Sequence, residues 1–113
     1  MQRSAGLGIK KSEKLLWKPG TVLAPLPVVL VTCQGPETEP NVLTVAWVGT
    51  VCSDPPVVCI SIRPEGYSYT MLREHGEFVV NMPTSDMVKA VDLCGVVSGR
   101  VENKFKKAGL TKI

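Results

Sequence analysis

Aromatic side chains are scarce in this chain of 113 residues, with two Trp, two Tyr and two Phe. That is too few for a platform on which successive nucleic-acid bases stack. Residues 1–20 and 100–113 each carry a net charge of +4, against −5 between them and +3 overall. Without stacking residues, those basic ends read as solvated helix faces and a loose terminus rather than a nucleic-acid surface. Histidine is scarcer still, His75 being alone. There is no Ser-His-acid arrangement and no carboxylate pair at catalytic spacing, and His75, beside Gly76, reads as a capping or packing residue. No catalytic side chain is singled out. The Gly-x-Gly-x-x-Gly fingerprint is missing, which excludes a dedicated dinucleotide domain.

The four cysteines, Cys33, Cys52, Cys59 and Cys94, form no Cys-x-x-Cys and have no histidine at ligand spacing. That pattern argues against a metal site and a disulfide framework. Cys33 and Cys59 lie in apolar runs and read as small buried hydrophobes, while Cys52, in a connection, leaves a redox-active thiol as the lesser reading. No apolar run reaches a membrane span; the longest, residues 28–31 and 42–48, are strand-sized. The first residues lack a secretory leader pattern, so the expectation is a cytoplasmic chain with no membrane or nucleic-acid partner.

What is present is enough for one core: the hydrophobic fraction is 44%, supplied mostly by Val, Leu and Ile. One domain over residues 1–113 is expected, loose at residues 1–11. The organising stretch is residues 40–63. Two runs rich in β-branched residues, 42–48 and 57–62, are separated by turn-forming residues that include Pro55 and Pro56, which is a strand, connection, strand pattern. The first run is apolar at nearly every position, so both faces should be covered, yet Thr44, Ala46 and Gly49 are small enough for another molecule to approach the backbone. The second ends at Arg63, before Pro64.

Around this pair the spacing predicts a helical turn from Ser12 through Trp17, a strand over residues 28–32 antiparallel to the central one, and a strand over residues 78–82. A short helix is expected between Ser68, as its cap, and Gly76. Its N-terminus would lie near Arg63, so free N–H groups, the hydroxyls of Ser68 and Thr70 and a guanidinium would form a phosphate cradle; an ordinary cap with a surface arginine is the competing reading. A second helix should follow Thr84 and close at Gly95, and a third should run from Val101 with Val101, Phe105 and Ala108 as its apolar stripe. Residues 110–113 alternate like the start of another strand, and four strands do not close a barrel, so either the chain is a piece of a longer one or a partner covers the edge.

Five pieces in this order carry a resemblance: Asn41-Val-Leu-Thr-Val-Ala-Trp47, Asp54-Pro-Pro-Val, Ile60-Ser-Ile-Arg63-Pro with Tyr69-Thr70, Glu77-Phe-Val-Val-Asn-Met-Pro83, and Ser98-Gly-Arg-Val-Glu-Asn-Lys-Phe105. Together they resemble the flavin reductase-like family, most of all its flavoredoxin branch, from about residue 27 onward. The resemblance implies a mainly β fold with short helices, an FMN-binding split β-barrel left incomplete at its C-terminal side, since the family domain continues with further strands. It implies FMN as cofactor. The ring would lie along Thr44, Val45, Ala46, Trp47, Val48 and Gly49, and the phosphate would meet Ser61, Ile62, Arg63, Ser68, Tyr69 and Thr70. Asn81, Ser98, Gly99 and Lys104 correspond to positions that line the site. Each also has a plainer reading: Asn81 as a strand-edge residue, Ser98 as a cap, Lys104 as a solvated lysine. Family members are homodimers with the flavin near the subunit interface. The implied function is an FMN-dependent oxidoreductase passing electrons from NAD(P)H, or from a redox-protein donor, to an acceptor. The alternatives are a non-catalytic flavin-binding or relay protein, a fragment that has lost the cofactor, and a basic barrel for nucleic acid.

Overall fold

The structure, a computed structural model, describes residue 6 and residues 13–113. Strand β1, Val29–Cys33, is the middle of a three-stranded antiparallel sheet, with β2, Asn41–Val45, on one side. On the other side is β5, Val79–Asn81. Between them in sequence come a hairpin of β3, Val48–Ser53, with β4, Pro56–Ile60, and the helix α1, Tyr67–His75. After β5, a single 3-10 turn at Ser85–Met87 leads into α2, Val88–Val96, and then α3, Lys104–Ala108.

Period-two alternation along β1 divides the core. Leu30 faces Val42, Cys94 and Phe105, and so packs against the helices. Val29 and Val31 face Val45 on the opposite side, where Val48, Ile60, Phe78 and Val80 close over them. A strand covered on both faces reads as a continuous apolar run, and residues 28–33 read that way for this reason. The expected antiparallel pairing of β1 with the central strand is present, with Val31 opposite Leu43.

Several expectations are corrected. The central run is not one strand over residues 42–48: the chain bends at Ala46 and Trp47, leaves β1, and begins the β3–β4 hairpin, so residues 49–53 are strand rather than connection. The hairpin projects from the sheet, which leaves Val51, Val57 and Val58 exposed despite their apolarity. Its second strand stops at Ile60, short of Arg63, and β5 is shorter than residues 78–82, with Met82 exposed. Ser12 lies outside the described residues, and residues 13–18 are irregular, with Leu15, Leu16 and Trp17 exposed. The loose terminus expected at residues 1–11 also falls outside them, residue 6 apart.

Gly95 sits inside α2, which runs one residue further. The third helix starts at Lys104, capped by Asn103, whose Oδ1 accepts from the Lys106 N–H at 3.2 Å. Val101 is therefore outside it and exposed. Residues 110–113 form no strand. The two C-terminal stops behave as glycine should, Gly76 and Gly109 taking the left-handed conformation at φ 74° and 69°.

All four cysteines are free. Cys33 and Cys94 are buried, and burial raises both thiols above their ordinary value, against the lowering influence of the Ser68 hydroxyl on Cys33 and of the Lys104 ammonium on both. Cys59, expected inside, is exposed because β4 belongs to the projecting hairpin. Brief labelling of the native protein with a thiol reagent is expected to modify Cys59 first and to spare Cys33 and Cys94 until unfolding. Peptide mass spectrometry reads the order; equal native rates at Cys59 and Cys94 would contradict the placement.

Candidate functional site

A cleft of about 540 Å³ opens where four segments meet. Its first wall is the end of β2 and the bend after it, from Leu43 through Trp47. The Thr44 hydroxyl is engaged elsewhere, donating to the Val91 carbonyl of α2. Helix α2 lies against β2 here: a Cβ on residue 95 would stand 3.4 Å from that of Thr44, in ordinary van der Waals contact. What this wall offers is backbone and apolar surface, from the small Ala46 to the large Trp47.

The second wall is Ser61, Ile62 and Arg63, tied to the first by the Ser61 N–H donating to the Trp47 carbonyl at 3.0 Å. Ile62 packs into the core while Ser61 and Arg63 stay exposed. The third segment is the first turn of α1. Its N-cap is Gly66, not Ser68, with extended backbone, no side-chain cap and no acidic residue in the first turn. The positive end of the helix dipole is thus left uncompensated by the helix's own residues. Ser68 cannot cap because its side chain turns inward, where its Oγ accepts from Asn41 Nδ2 at 2.7 Å.

The fourth segment joins α2 to α3. The Ser98 Oγ accepts from the Arg100 N–H at 3.2 Å, and the Arg100 guanidinium lies 5.7 Å from the centre of the Tyr67 ring. Lys104 is not solvated. It is 6% exposed, and its Nζ donates to the Cys94 carbonyl at 3.1 Å, in the last turn of α2, where the helix dipole favours a cation. Burial holds the Lys104 ammonium below its ordinary value, with neighbouring Cys94 and Cys33 acting in the other direction. Among the described residues no carboxylate lines this cleft, whereas Arg63 and Lys104 both do.

The residues singled out from sequence divide accordingly. Thr44, Val45, Ala46 and Trp47 line the cleft with Ser61, Ile62 and Arg63, and so do Ser68, Ser98, Gly99 and Lys104. Val48 and Gly49 have passed the bend into the hairpin, and Tyr69 and Thr70 follow the lining residues Tyr67 and Ser68 along α1; none of these four lines the cleft. Asn81 is not among the lining residues either: its Nδ2 donates to the Leu30 carbonyl at 3.0 Å, and it borders a separate groove of about 840 Å³ with Thr32, His75, Phe78 and Lys112. Sequence reasoning missed Asn41 and Tyr67. Asn41 opens the Asn-x-x-Thr segment and Tyr67 precedes Ser68, so both were in view, but neither looked chemical without its tertiary partners.

A family model for the flavin reductase like domain matches residues 22–112. The chain belongs to that family. Its structure is similar to the flavoredoxin of Desulfovibrio vulgaris (Miyazaki F), at TM-score 0.82 and 34% identity over 88% of this chain and 54% of that one. It is also similar to the flavoredoxin of Methanosarcina acetivorans, at TM-score 0.75 and 32% identity, covering 82% and 50% of the two chains. An uncharacterized protein of Archaeoglobus fulgidus is 37% identical over 91 residues, 80% of this chain and 50% of that protein. The chain thus spans about half the length of the relatives it matches. The fold is mainly β with short helices, that of the split-barrel flavin reductase-like proteins, and its two sheets are not closed into a barrel. Among the described residues no helix is long and apolar enough to cross a membrane.

Proposed function

We propose that residues 22–112 form one flavin-binding domain that holds FMN in the 540 Å³ cleft, as part of an oxidoreductase taking electrons from NAD(P)H or a redox-protein donor. The observation that carries this reading is the polarity of the cleft. One end is strand backbone and apolar side chains; the other has Arg63, the buried Lys104 and a helix N-terminus with no acidic residue in its first turn, and no carboxylate lines the cleft among the described residues. A flat apolar ring with an anionic tail matches that gradient, and a neutral flavin without phosphate matches it less well.

When bound, FMN supplies the hydride chemistry. The chain's own residues bind and orient. The β2 bend would present backbone to the ring, as the small Ala46 permits, and Ile62 would exclude water from its edge. Arg63 would meet the phosphate with paired N–H groups, and Lys104, held by the Cys94 carbonyl, would supply a second positive charge from the protein side. A homodimer is part of the proposal, with a second copy covering the exposed hairpin valine Val58, on the opposite face of β4 from Cys59.

Oxidation of NADH and NADPH with added FMN tests the activity. Sustained turnover above that of free FMN, reduced in Arg63→Ala, is the expected result. Retained FMN without oxidation of either nucleotide would make the protein a relay fed by a redox partner, and would sink the NAD(P)H arm. Sedimentation of the loaded protein at the mass of one chain would sink the dimer.

A further inference from the structure

Asn41 joins three segments at the polar end of the cleft. It is the first residue of β2, is 4% exposed and lines the cleft. Its Nδ2 donates to the Ser68 Oγ at 2.7 Å, a contact between residues 27 positions apart. Ser68 lies in the first turn of α1, so this bond fixes how that turn is rotated about the helix axis. The other side of the same amide meets Gly99. A Cβ on residue 99 would collide with Asn41 Oδ1, and would stand 2.8 Å from Asn41 Cγ and 2.8 Å from Tyr67 Cδ1. The turn at Ser98–Arg100 therefore rests directly on the Asn41 amide, with no room for a side chain. Beyond it Arg100 reaches over Tyr67, and the chain continues to Lys104.

One buried amide thus sets the spacing between β2, the first turn of α1 and the loop that delivers Lys104. The geometry points to Asn41 as a positioning residue: it holds the α1 turn and the Gly99 turn at the separation in which this end of the cleft grips a phosphoryl group. The inference rests on the reading of the cleft as an FMN site, and it deepens that reading by naming the residue that builds the phosphate end. Asn41 acts through Ser68 and Gly99. Its removal takes the Nδ2 donor from the Ser68 hydroxyl, which keeps its contact with the Cys33 thiol, and leaves a gap beneath the Gly99 turn, so the donors for the anion lose their common frame. Asn41→Asp keeps the shape, removes the Nδ2 donor and adds negative charge beside the anion.

The test compares FMN with riboflavin, which has the same ring and no phosphate, by fluorescence titration of the native chain, Asn41→Ala and Asn41→Asp. The FMN dissociation constant is expected to rise about tenfold or more in Asn41→Ala and further in Asn41→Asp, with riboflavin affinity moving less than about threefold, so the preference for FMN collapses. Amide exchange on the same ligand-free proteins should quicken about tenfold or more at Met71 and Leu72, whose N–H groups bond back to the first turn, and stay unchanged at Gly76. An undiminished FMN preference in Asn41→Ala overturns the inference, whatever happens to melting temperature, and so does unchanged exchange at Met71 and Leu72. A native chain that binds neither flavin sinks the FMN reading itself, and with it the ligand half of the inference, while exchange still decides whether Asn41 holds the turn.

Discussion

Leu30→Ala is expected to lower the unfolding free energy by about 2–5 kcal/mol. Leu30 is 3% exposed and sits at the centre of the cluster made by Val42, Cys94 and Phe105, with Met87, Val91, Ala108 and Leu110 around it. Truncation removes the transfer free energy of the side chain and leaves a cavity between a sheet and two helices that cannot collapse together. The loss should reach the site as well, because Cys94 in that cluster supplies the carbonyl that holds Lys104. Leu23→Ala is the control. Leu23 is 78% exposed, and its truncation should stay within about 0.5 kcal/mol. Urea titration reads both, and a Leu30→Ala change no larger than the control's would mean that the helices do not pack on β1 as described.

Lys104→Met is expected to weaken FMN binding by about tenfold or more while leaving the ligand-free protein as stable as the parent or more so. The two effects have one cause. Burying an ammonium with a single protein acceptor costs desolvation that an apolar side chain of similar length avoids, and an anionic ligand in the cleft returns part of that cost. The sign of the pH dependence follows. The Lys104 ammonium is held below its ordinary value of 10.5 in the folded protein. Between that lowered value and 10.5 the unfolded chain binds more protons than the folded one, so the lysine's contribution to stability rises with pH through this window. Any stability advantage of Lys104→Met should therefore be full below the window and shrink as pH climbs toward 10.5. Cys33 and Cys94, raised above 9.0, lower stability as pH rises past that point. The Lys104 ammonium lowers both thiols in the parent alone, so Lys104→Met raises them further. The difference between the proteins reports the lysine together with its coupling to the thiols, both of which shrink the advantage as pH climbs. Thermal melts of the pair across the alkaline range are the measurement; a Lys104→Met protein that is less stable than the parent at neutral pH would contradict the account.

The pairing of β1 with β2, the Gly76 stop of α1 and the meeting of Arg63 with the start of α1 were legible because each rests on local chemistry, whereas Gly99 was reached through the family resemblance alone. Apolar runs bounded by Pro and Gly report strands, and a glycine after a periodic segment reports a helix end. The burial of Lys104 was not legible, although the family resemblance had named it among the site residues. A lysine between Asn103 and Phe105 reads as solvated, and only the position of the α2 C-terminus turns it inward to the Cys94 carbonyl. The bend at Ala46 and Trp47 was hidden for a related reason: β-branched content reports extended backbone and does not say where a strand leaves its neighbour. The same limit explains Cys59, apolar in its run yet exposed on the hairpin. Asn41 and Ser68 are 27 positions apart, and a bond across that separation has no signature in either segment.

The most direct test is a visible absorption spectrum of the purified chain after loading with FMN and desalting. Retained flavin bands corresponding to about one FMN per chain, lost together with the cation in Lys104→Met, are the result expected of a cleft with an apolar wall and a cationic end. A protein that stays colourless after loading, and leaves FMN fluorescence unchanged on titration, would contradict the claim that this cleft is a flavin site.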